Sequence, residues 1–456
     1  MQPALFLILA LAGALLPGCG GSGADSTPLA APVPPLLAPE APAPGLGESV
    51  PDFTPPTANA ARALVATALV VDATARTAAA TITLEASPLA GATLEIGDLD
   101  IRAVDMDGQP LPWADRGDRL DLGLPASATP STVTIHYRFQ AHEDFNGASA
   151  GGFTFTWPYH CGNLFPCHSQ PAQGQDLSLA VHNPPAGQRV VQATGPVTAA
   201  PAYQLAWALG DYTDLDLGLT AAGTRLLASY LPGQQAPMQQ GTVHLKAAFE
   251  WLESTLGPYR FGGTAGPVSV AWGSSAFGGI EHHPRWHIGS ASLADPEVHV
   301  HEAIHGWFGN GVRLACWEDF VLSEGTTSYL TARALDVVAP EAGARTWASY
   351  AARLRGVKGS QPVWPASCQQ VDVLRDGLYT QAPYLRGAFF YQAVAGKIGA
   401  PALDRVLARF YRTYAGRAAG MQDMLDTIQT DTGYDPSACA NRWLRSATVP
   451  VVGTCS

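Results

Sequence analysis

Charged residues are scarce in this chain of 456 residues, since Asp, Glu, Lys and Arg make up only 14% of it. Soluble domains usually carry about a quarter. Lysine is the scarcest of the four, with three residues against 23 arginines. The net charge is −12, and no cluster of basic residues occurs anywhere. Because binding to nucleic-acid phosphates requires clustered cations, the composition argues against a nucleic-acid partner.

Long apolar runs are missing as well. The run at residues 4–16 has 13 residues, which is short of the ~20 that a membrane-spanning helix needs. It ends in Leu16-Pro-Gly-Cys19, and this resembles a bacterial lipoprotein signal in which Cys19 becomes the lipidated first residue. We therefore predict a signal peptide at 1–18 and an exported bacterial protein, anchored to a membrane of the cell envelope through Cys19. An ordinary secretory signal is the alternative.

The cysteines agree with export. Six remain of the seven when Cys19 is set aside, and none belongs to a CxxC pair. Six cysteines can pair in many ways, but proximity favours two short loops and leaves a third pair by elimination. These pairs are Cys161–Cys167, Cys439–Cys455 and Cys316–Cys368. Structural disulfides in an oxidising compartment are expected.

The pattern along the chain predicts a tether and two domains. Residues 19–52 are rich in Pro, Ala and Gly and predict a flexible tether. Residues 53–235 contain short segments with alternating apolar residues, which predict an antiparallel all-β domain. Residues 236–456 predict a mostly helical α+β domain with one strand at 268–272. Helices are expected at 242–256, 295–308, 324–337, 341–355, 383–398, 401–415 and 419–431.

One helical segment carries a metal-binding pattern, His301-Glu-Ala-Ile-His305. Residues four apart lie on one face of a helix, so both imidazoles point the same way. Two neutral imidazoles suit zinc, and Glu302 between them can act as general base on the water that zinc activates. Glu324 follows His305 after 18 intervening residues and can supply a third ligand. Three protein ligands leave one position open, as catalytic zinc requires, so we expect one Zn²⁺ per chain.

The surrounding stretch resembles the gluzincin aminopeptidases, the aminopeptidase N-like family that includes leukotriene hydrolase. The resemblance rests on HEAIHGWFGN and on Trp317-Glu-Asp-Phe-Val-Leu-Ser-Glu-Gly325. It implies a thermolysin-like catalytic domain, zinc ligands at His301, His305 and Glu324, and Glu302 as the base. Asp319 is expected to orient a ligand, or else to be a surface or cap carboxylate.

Upstream, Gly278-Gly279-Ile-Glu281-His282 resembles the family's G-x-M-E-N strand. The resemblance implies that this strand binds substrate and that Glu281 holds the substrate's free α-amine. His282 stands where the family has Asn. A polar network is the favoured interpretation, over a second metal, of the neighbouring His283, Arg285, Trp286 and His287.

Downstream, Tyr384-Leu-Arg386-Gly-Ala resembles the family's Y-x-K-G-A motif, with Arg in place of Lys. The resemblance implies that Tyr384 donates a hydrogen bond to the oxyanion of the tetrahedral intermediate. Tyr379 is a weaker candidate for this role, and a core tyrosine is the alternative for both.

In the β domain the family's Q-x-E motif, which contributes to amine binding, is missing, and Phe155 and Trp157 stand near its positions. Amine recognition would then depend on Glu281. The sequence as a whole predicts an exported zinc aminopeptidase that removes N-terminal residues from peptides. The alternatives are a zinc endopeptidase, a related hydrolase of different substrate preference, and a non-catalytic surface lipoprotein.

Overall fold

The computed structural model describes residues 57–273, 277–358, 361–368, 371–453 and 455. The predicted signal peptide, Cys19 and the predicted tether lie outside these ranges. Within them, no helix has both the length and the apolar character needed to cross a membrane.

Strands dominate the chain as far as residue 230. They are β1 (Leu64–Asp72), β2 (Thr77–Leu84), β3 (Ala92–Glu95), β4 (Asp100–Met106), β5 (Gln109–Pro110), β6 (Trp113–Asp115), β7 (Arg119–Leu122), β8 (Ser131–Arg138), β9 (Ala141–His142), β10 (Gly147–Ser149), β11 (Thr154–Phe155), β12 (Gln175–His182), β13 (Arg189–Gln192), β14 (Val197–Ala200), β15 (Trp207–Gly210), β16 (Thr213–Leu219) and β17 (Arg225–Tyr230).

The largest sheet has seven strands in the order β14-β12-β1-β2-β8-β4-β5. Alternation decides which face is buried: Ile82 and Leu84 of β2 point into the core, while Thr81 is exposed. Most pairings are antiparallel, as the sequence predicts, but β1 and β12 run parallel. About a hundred residues separate these two strands, so no hairpin dictates their relative direction.

Helices dominate the rest of the chain. They are α1 (Gln235–Gly241), α2 (Leu245–Thr255), α3 (Pro296–Ile304), α4 (Phe320–Val338), α5 (Pro340–Leu354), α6 (Gln381–Ile398), α7 (Ala400–Tyr414), α8 (Met421–Thr432) and α9 (Ser437–Ala440). The strands among them are β18 (Thr264–Ala265), β19 (Val268–Val270), β20 (Gly279–Ile280), β21 (His287–Gly289), β22 (Arg313–Leu314) and β23 (Ala418–Ala419).

A second sheet joins the two parts of the chain, with strands in the order β16-β17-β19-β21-β20 and β18 beside β17. Its last strand, β20, lies at the edge and contacts α3. The edge strand therefore presents backbone groups towards the helix that carries the HEAIH pattern.

The helix boundaries correct three expectations. The expected helix at 242–256 begins only at Leu245, after a separate α1. The helix that begins after Asp295 ends at Ile304 rather than near residue 308, and the chain then turns through Gly309, whose φ is 104°. α4 begins at Phe320 rather than at residue 324, directly after the short 3₁₀ turn at Trp317–Asp319. Glu324 consequently lies in the second turn of α4.

α4 forms the centre of the helical part, packed against α6, α5 and α3. Its closest approach to α6 occurs where two glycines face each other, because a Cβ on Gly325 would lie 2.7 Å from the Cα of Gly387. The helices can therefore pack with their backbones almost in contact.

Three disulfides link cysteines within the described residues. They join Cys161 to Cys167, Cys316 to Cys368 and Cys439 to Cys455, with S–S distances of 1.99, 2.08 and 1.95 Å. These are the pairs that proximity and elimination favour. Cys316 directly precedes the short turn at Trp317–Asp319 that leads into α4, so its disulfide holds the segment ahead of Glu324.

Candidate active site

His301, His305 and Glu324 bring three donor atoms to one point between α3 and α4. The Nε2 atoms of the two histidines are 3.2 Å apart. Oε2 of Glu324 lies 3.1 Å from His301 Nε2 and 3.4 Å from His305 Nε2. A tetrahedral zinc ion with bonds of ~2.0–2.1 Å holds its donor atoms ~3.3 Å apart. The three distances match the edges of such a tetrahedron, so these residues fit zinc.

The orientation of His305 is fixed by the turn that ends α3. Its Nδ1 donates to the carbonyl oxygen of Phe308 at 2.9 Å. Because Nδ1 carries the proton, Nε2 keeps its lone pair and points towards His301 and Glu324. A second hydrogen bond of this kind is the usual support for a metal-binding histidine.

Two more carboxylates lie beside this group. Ligand atoms of Glu281, Glu302 and His305 all lie within 4.8 Å of one another. Burial raises the pKa of Glu302 well above its ordinary value and that of Glu281 to about 7. Burial also opposes ionisation of Glu324, but the neighbouring imidazoles of His305 and His301 favour the carboxylate and lower its pKa to about 2. Three buried carboxylates at one place require a cation, which a divalent metal provides.

The carboxylate of Glu302 has room because of Gly279. A Cβ at Gly279 would lie 2.6 Å from Cγ and 2.7 Å from Oε1 of Glu302. Among the described residues, none donates a hydrogen bond to this carboxylate, so it is free to take a proton from water. Its backbone is held from the other side, because His283 Nε2 donates to the carbonyl oxygen of Glu302 at 2.8 Å.

The strand that carries Glu281 is fixed at both ends. The carbonyl of Gly278 accepts from Gly289 at 3.0 Å, and Gly279 pairs with Ile288. At the other end, Nδ2 of Asn310 donates to the carbonyl oxygen of Glu281. Sequence reasoning did not assign a role to Asn310, although it ends the HEAIHGWFGN stretch and so could have been considered.

The histidines that follow Glu281 are buried, but they differ in their hydrogen bonds. His283 accepts from the hydroxyl of Tyr259 at 2.8 Å, which satisfies its second ring nitrogen. His282 and His287 form an edge-to-face pair with ring centroids 5.0 Å apart, and no hydrogen bond within the described ranges joins either ring to His283. Burial lowers the pKa of His282 to about 4 and that of His283 to about 3, so both are neutral. A polar network that includes all three histidines therefore stays a prediction.

Tyr384 lies directly beside the metal-binding group. It is in the first turn of α6, and its ring is stacked on that of His301 at a centroid distance of 5.8 Å. Burial and the charge of Glu324 raise the pKa of Tyr384 well above its ordinary value. The hydroxyl therefore stays protonated and can donate a hydrogen bond.

Tyr379 occupies a different place. Its ring contacts Trp157 at 4.9 Å and Phe277 at 5.4 Å. Burial raises its pKa too, with contributions from Glu324 and Glu281, so its hydroxyl lies within range of the carboxylates. The structure thus brings both tyrosines to the site, and Tyr384 is the one against a metal-binding histidine.

Asp319 is buried, and its hydrogen-bond partners lie outside the metal-binding group. Its carboxylate accepts from the backbone N–H of Met421 at 2.8 Å and from Nε1 of Trp364 at 3.1 Å. Within the described ranges it makes no hydrogen bond to His301, His305 or Glu324. Asp319 therefore joins the start of α4 to the start of α8.

Comparison with known proteins identifies the domain that holds this geometry. Residues 285–443 match the peptidase family M1 domain. The chain carries an M1 peptidase domain. That match includes His301, Glu302, His305, Glu324 and Tyr384.

Solved structures share the fold beyond the matched residues. The M1 zinc metallopeptidase of Deinococcus radiodurans has a TM-score of 0.72 at 20% identity, covering 86% of this chain and 96% of that one. Yeast LTA4 hydrolase has a TM-score of 0.70 at 19% identity, covering 85% of this chain and 68% of that one. The matched domain and the strands that precede it therefore have a fold that both of these proteins share.

The chain matches only part of the length of its curated relatives. Leucine aminopeptidase 2 of Aspergillus niger is 23% identical over 409 residues, which cover 76% of this chain and 62% of that protein. Aminopeptidase M1 of Arabidopsis thaliana is 24% identical over 161 residues, 34% of this chain and 18% of that protein. The matches thus span between 18% and 62% of these two relatives.

Proposed function

We propose that this protein is a zinc-dependent aminopeptidase that binds one Zn²⁺ per chain and removes N-terminal residues from peptides. The observation that carries the proposal is the position of Glu281. Its carboxylate lies within 4.8 Å of ligand atoms of Glu302 and His305. A fixed negative charge at this distance suits the ammonium group of a peptide whose first carbonyl lies at the metal site.

Relatives support this choice of substrate. The A. niger relative is named a leucine aminopeptidase. A mutant of the D. radiodurans M1 zinc metallopeptidase, 20% identical with a TM-score of 0.72, has been solved with a Tyr-Ser-Ala substrate bound.

The chemistry follows from the residues. His301, His305 and Glu324 would hold the zinc ion, which as a Lewis acid polarises the scissile carbonyl and favours ionisation of water. Glu302 takes the proton of the attacking water and delivers it to the leaving amine. Tyr384 donates a hydrogen bond to the oxygen on which negative charge develops. Glu281 holds the α-ammonium and so sets the distance from the chain terminus to the cleaved bond.

Aminoacyl chromogenic substrates and their N-acetylated forms test this proposal. We expect the free-amine substrates to be cleaved, a chelator to abolish cleavage, and Zn²⁺ to restore it. Cleavage of both forms at similar rates would instead support a zinc endopeptidase. That alternative gains some support from Phe155 and Trp157, which stand near the positions of the family's Q-x-E motif.

We further propose that the protein is exported and anchored to a membrane of the cell envelope by a lipid at Cys19. The support is the N-terminal apolar run with its following cysteine, together with the three disulfides. The Cys19→Ser variant should leave the membrane fraction and lack acyl chains by mass spectrometry. A wild-type protein that is soluble and unacylated would point to an ordinary secretory signal.

A further inference from the structure

Seven aromatic residues form one continuous cluster next to the active site. Three of their rings are half-buried, those of Phe145, Phe277 and Tyr379, and we call these the aromatic wall. Four buried rings lie behind them, those of Phe153, Phe155, Trp157 and Trp272. Phe277 connects the wall, because its ring lies 5.1 Å from that of Phe145 and 5.4 Å from that of Tyr379.

The wall adjoins the residues that, in the proposed function, hold the first residue of a bound peptide, since the ring of Phe320 contacts the rings of both Tyr379 and Tyr384. In that function, Glu281 holds the α-amine and Tyr384 donates to the carbonyl oxygen of the same residue. The side chain branches from the carbon between these two groups. Phe277 lies two residues before β20, the strand that Glu281 follows, and Tyr379 lies two residues before α6, the helix that carries Tyr384. Two of the three rings of the wall therefore belong to the segments that hold the two anchors.

The wall is rigid because each of its rings is supported from behind. Phe277 is stacked on Phe155 at 5.1 Å, and its carbonyl oxygen accepts from Nε1 of Trp272 at 2.7 Å. Tyr379 lies against Trp157 at 4.9 Å. A surface that is already ordered costs little conformational entropy when a ligand binds to it.

The seven rings carry no formal charge, and the ionisable groups that act on Tyr379 are the carboxylates of Glu324, Glu281 and Glu302. An acidic side chain placed here would meet like charge and lose its hydration. An aromatic side chain would instead bury a large apolar area and make ring contacts of the same kind as those within the cluster.

We propose that the aromatic wall is a specificity pocket that selects peptides with a large aromatic first residue, and that Phe277 and Phe145 are specificity-determining residues. This inference rests on the proposed aminopeptidase function. Phe145 is contributed by the loop between β9 and β10, so the N-terminal part of the chain takes part in choosing the substrate.

The test compares aminoacyl chromogenic substrates that carry Phe, Trp, Ala or Glu. We expect kcat/KM for the Phe and Trp substrates to exceed that for Ala by at least ~10²-fold, with Glu the poorest. In the Phe277→Ala variant, the ratio of kcat/KM for the Phe substrate to kcat/KM for the Ala substrate should fall by about tenfold. The Phe145→Ala variant should lower this ratio less. Phe277→Leu keeps an apolar side chain and should give an intermediate ratio.

Controls separate a role in specificity from a role in folding. Tyr414→Ala removes a half-buried ring of α7 that packs against Phe410 and makes no ring contact with the wall, and it should leave the ratio unchanged. A purely structural role for Phe277 would lower kcat/KM equally for Phe and Ala substrates and would overturn the inference. If the Phe277→Ala variant does not fold, the same ratio of kcat/KM values measured on the Phe277→Leu variant distinguishes the two roles.

A binding measurement keeps this inference separate from the proposed function. Calorimetry with zinc-loaded Glu302→Gln protein should detect binding of free L-phenylalanine and much weaker binding of L-alanine. Wild-type protein that cleaves free-amine substrates without an aromatic preference would overturn the pocket and leave the aminopeptidase intact. Protein that cleaves none of them but binds L-phenylalanine selectively would overturn the function and leave the pocket. Equal binding of the two amino acids would contradict the pocket in either case.

Discussion

Removal of the Glu281 side chain is the most informative perturbation of this site. The Glu281→Ala variant leaves the backbone contacts of the strand in place, since Asn310 holds the carbonyl oxygen of residue 281 rather than its side chain. It also leaves His301, His305 and Glu324 untouched, so zinc content should not change. Burial raises the pKa of Glu281 to about 7, so the ionised form is costly in the folded protein at neutral pH. Its removal is therefore not expected to lower the melting temperature.

The size of the effect follows from the charge that is lost. An ammonium ~4 Å from a carboxylate gains about 4 kcal/mol at an effective dielectric constant of ~20. That free energy corresponds to about a thousandfold in kcat/KM. The value is near the upper part of the ~2–5 kcal/mol that loss of one partner of a buried charge pair usually costs. Glu302 and Glu324 are the other carboxylates near the metal site. In the proposed function Glu302 is the general base and Glu324 binds zinc, so neither replaces Glu281.

The assay measures kcat/KM on a free-amine peptide and on its N-acetylated form. We expect the loss in Glu281→Ala to appear with the free amine and to shrink with the blocked peptide, which carries no ammonium. Glu253→Gln is a matched control, since Glu253 is also buried but lies in α2, outside the cluster of Glu281, Glu302 and His305, and accepts from the hydroxyl of Thr224. It should leave both rates near those of the wild type.

Two results would refute this reasoning. Equal losses on free and blocked peptides would show that Glu281 has a structural role and would favour the endopeptidase alternative. Loss of zinc from Glu281→Ala would show that Glu281 supports the metal site and not the substrate amine.

Three further predictions concern the metal site. Glu302→Gln should keep zinc and lose ~10²–10⁴-fold in kcat because no base remains. Elemental analysis together with steady-state kinetics tests this prediction, and activity within a few-fold of the wild type would contradict it. His301→Ala, His305→Ala or Glu324→Ala should lower bound zinc itself, as measured by elemental analysis, and full metal content in any of them would remove that residue from the ligand set. Gly279→Ala should retain zinc but lose about 10²-fold in kcat, since the Cβ added at residue 279 would displace the Glu302 carboxylate. An unchanged kcat would show that strand β20 moves aside freely.

The metal-binding group could be predicted from the sequence because its geometry is mostly local. His301 and His305 share a helix face by their spacing alone. Glu324 needs only a second helix that crosses the first at this point. Local signals failed at the ends of these helices. Gly306 and Gly309 follow the early end of α3. The short turn at Trp317–Asp319 leads into α4 earlier than expected, which moves Glu324 from the first turn to the second.

The roles of Asp319 and Asn310 could not be derived in this way, because each depends on a long-range contact. Asp319 accepts from a backbone N–H about a hundred residues further along the chain, at Met421. Asn310 donates to a carbonyl on the strand that carries Glu281. Neither pairing follows from spacing or composition, since it results from how the helices pack against the strands.

The aromatic wall depends on long-range packing in the same way, and it explains the departure at Phe155 and Trp157. The sequence shows only that the family's Q-x-E motif is missing there. The structure shows that Phe155 packs against Phe277 and His282, the residue next to Glu281. Apolar rings on this flank exclude water and lower the effective dielectric constant, which strengthens the attraction between Glu281 and an ammonium. Under the proposed aminopeptidase function, the departure at Phe155 and Trp157 therefore places amine recognition by Glu281 beside the rings that we propose select an aromatic side chain.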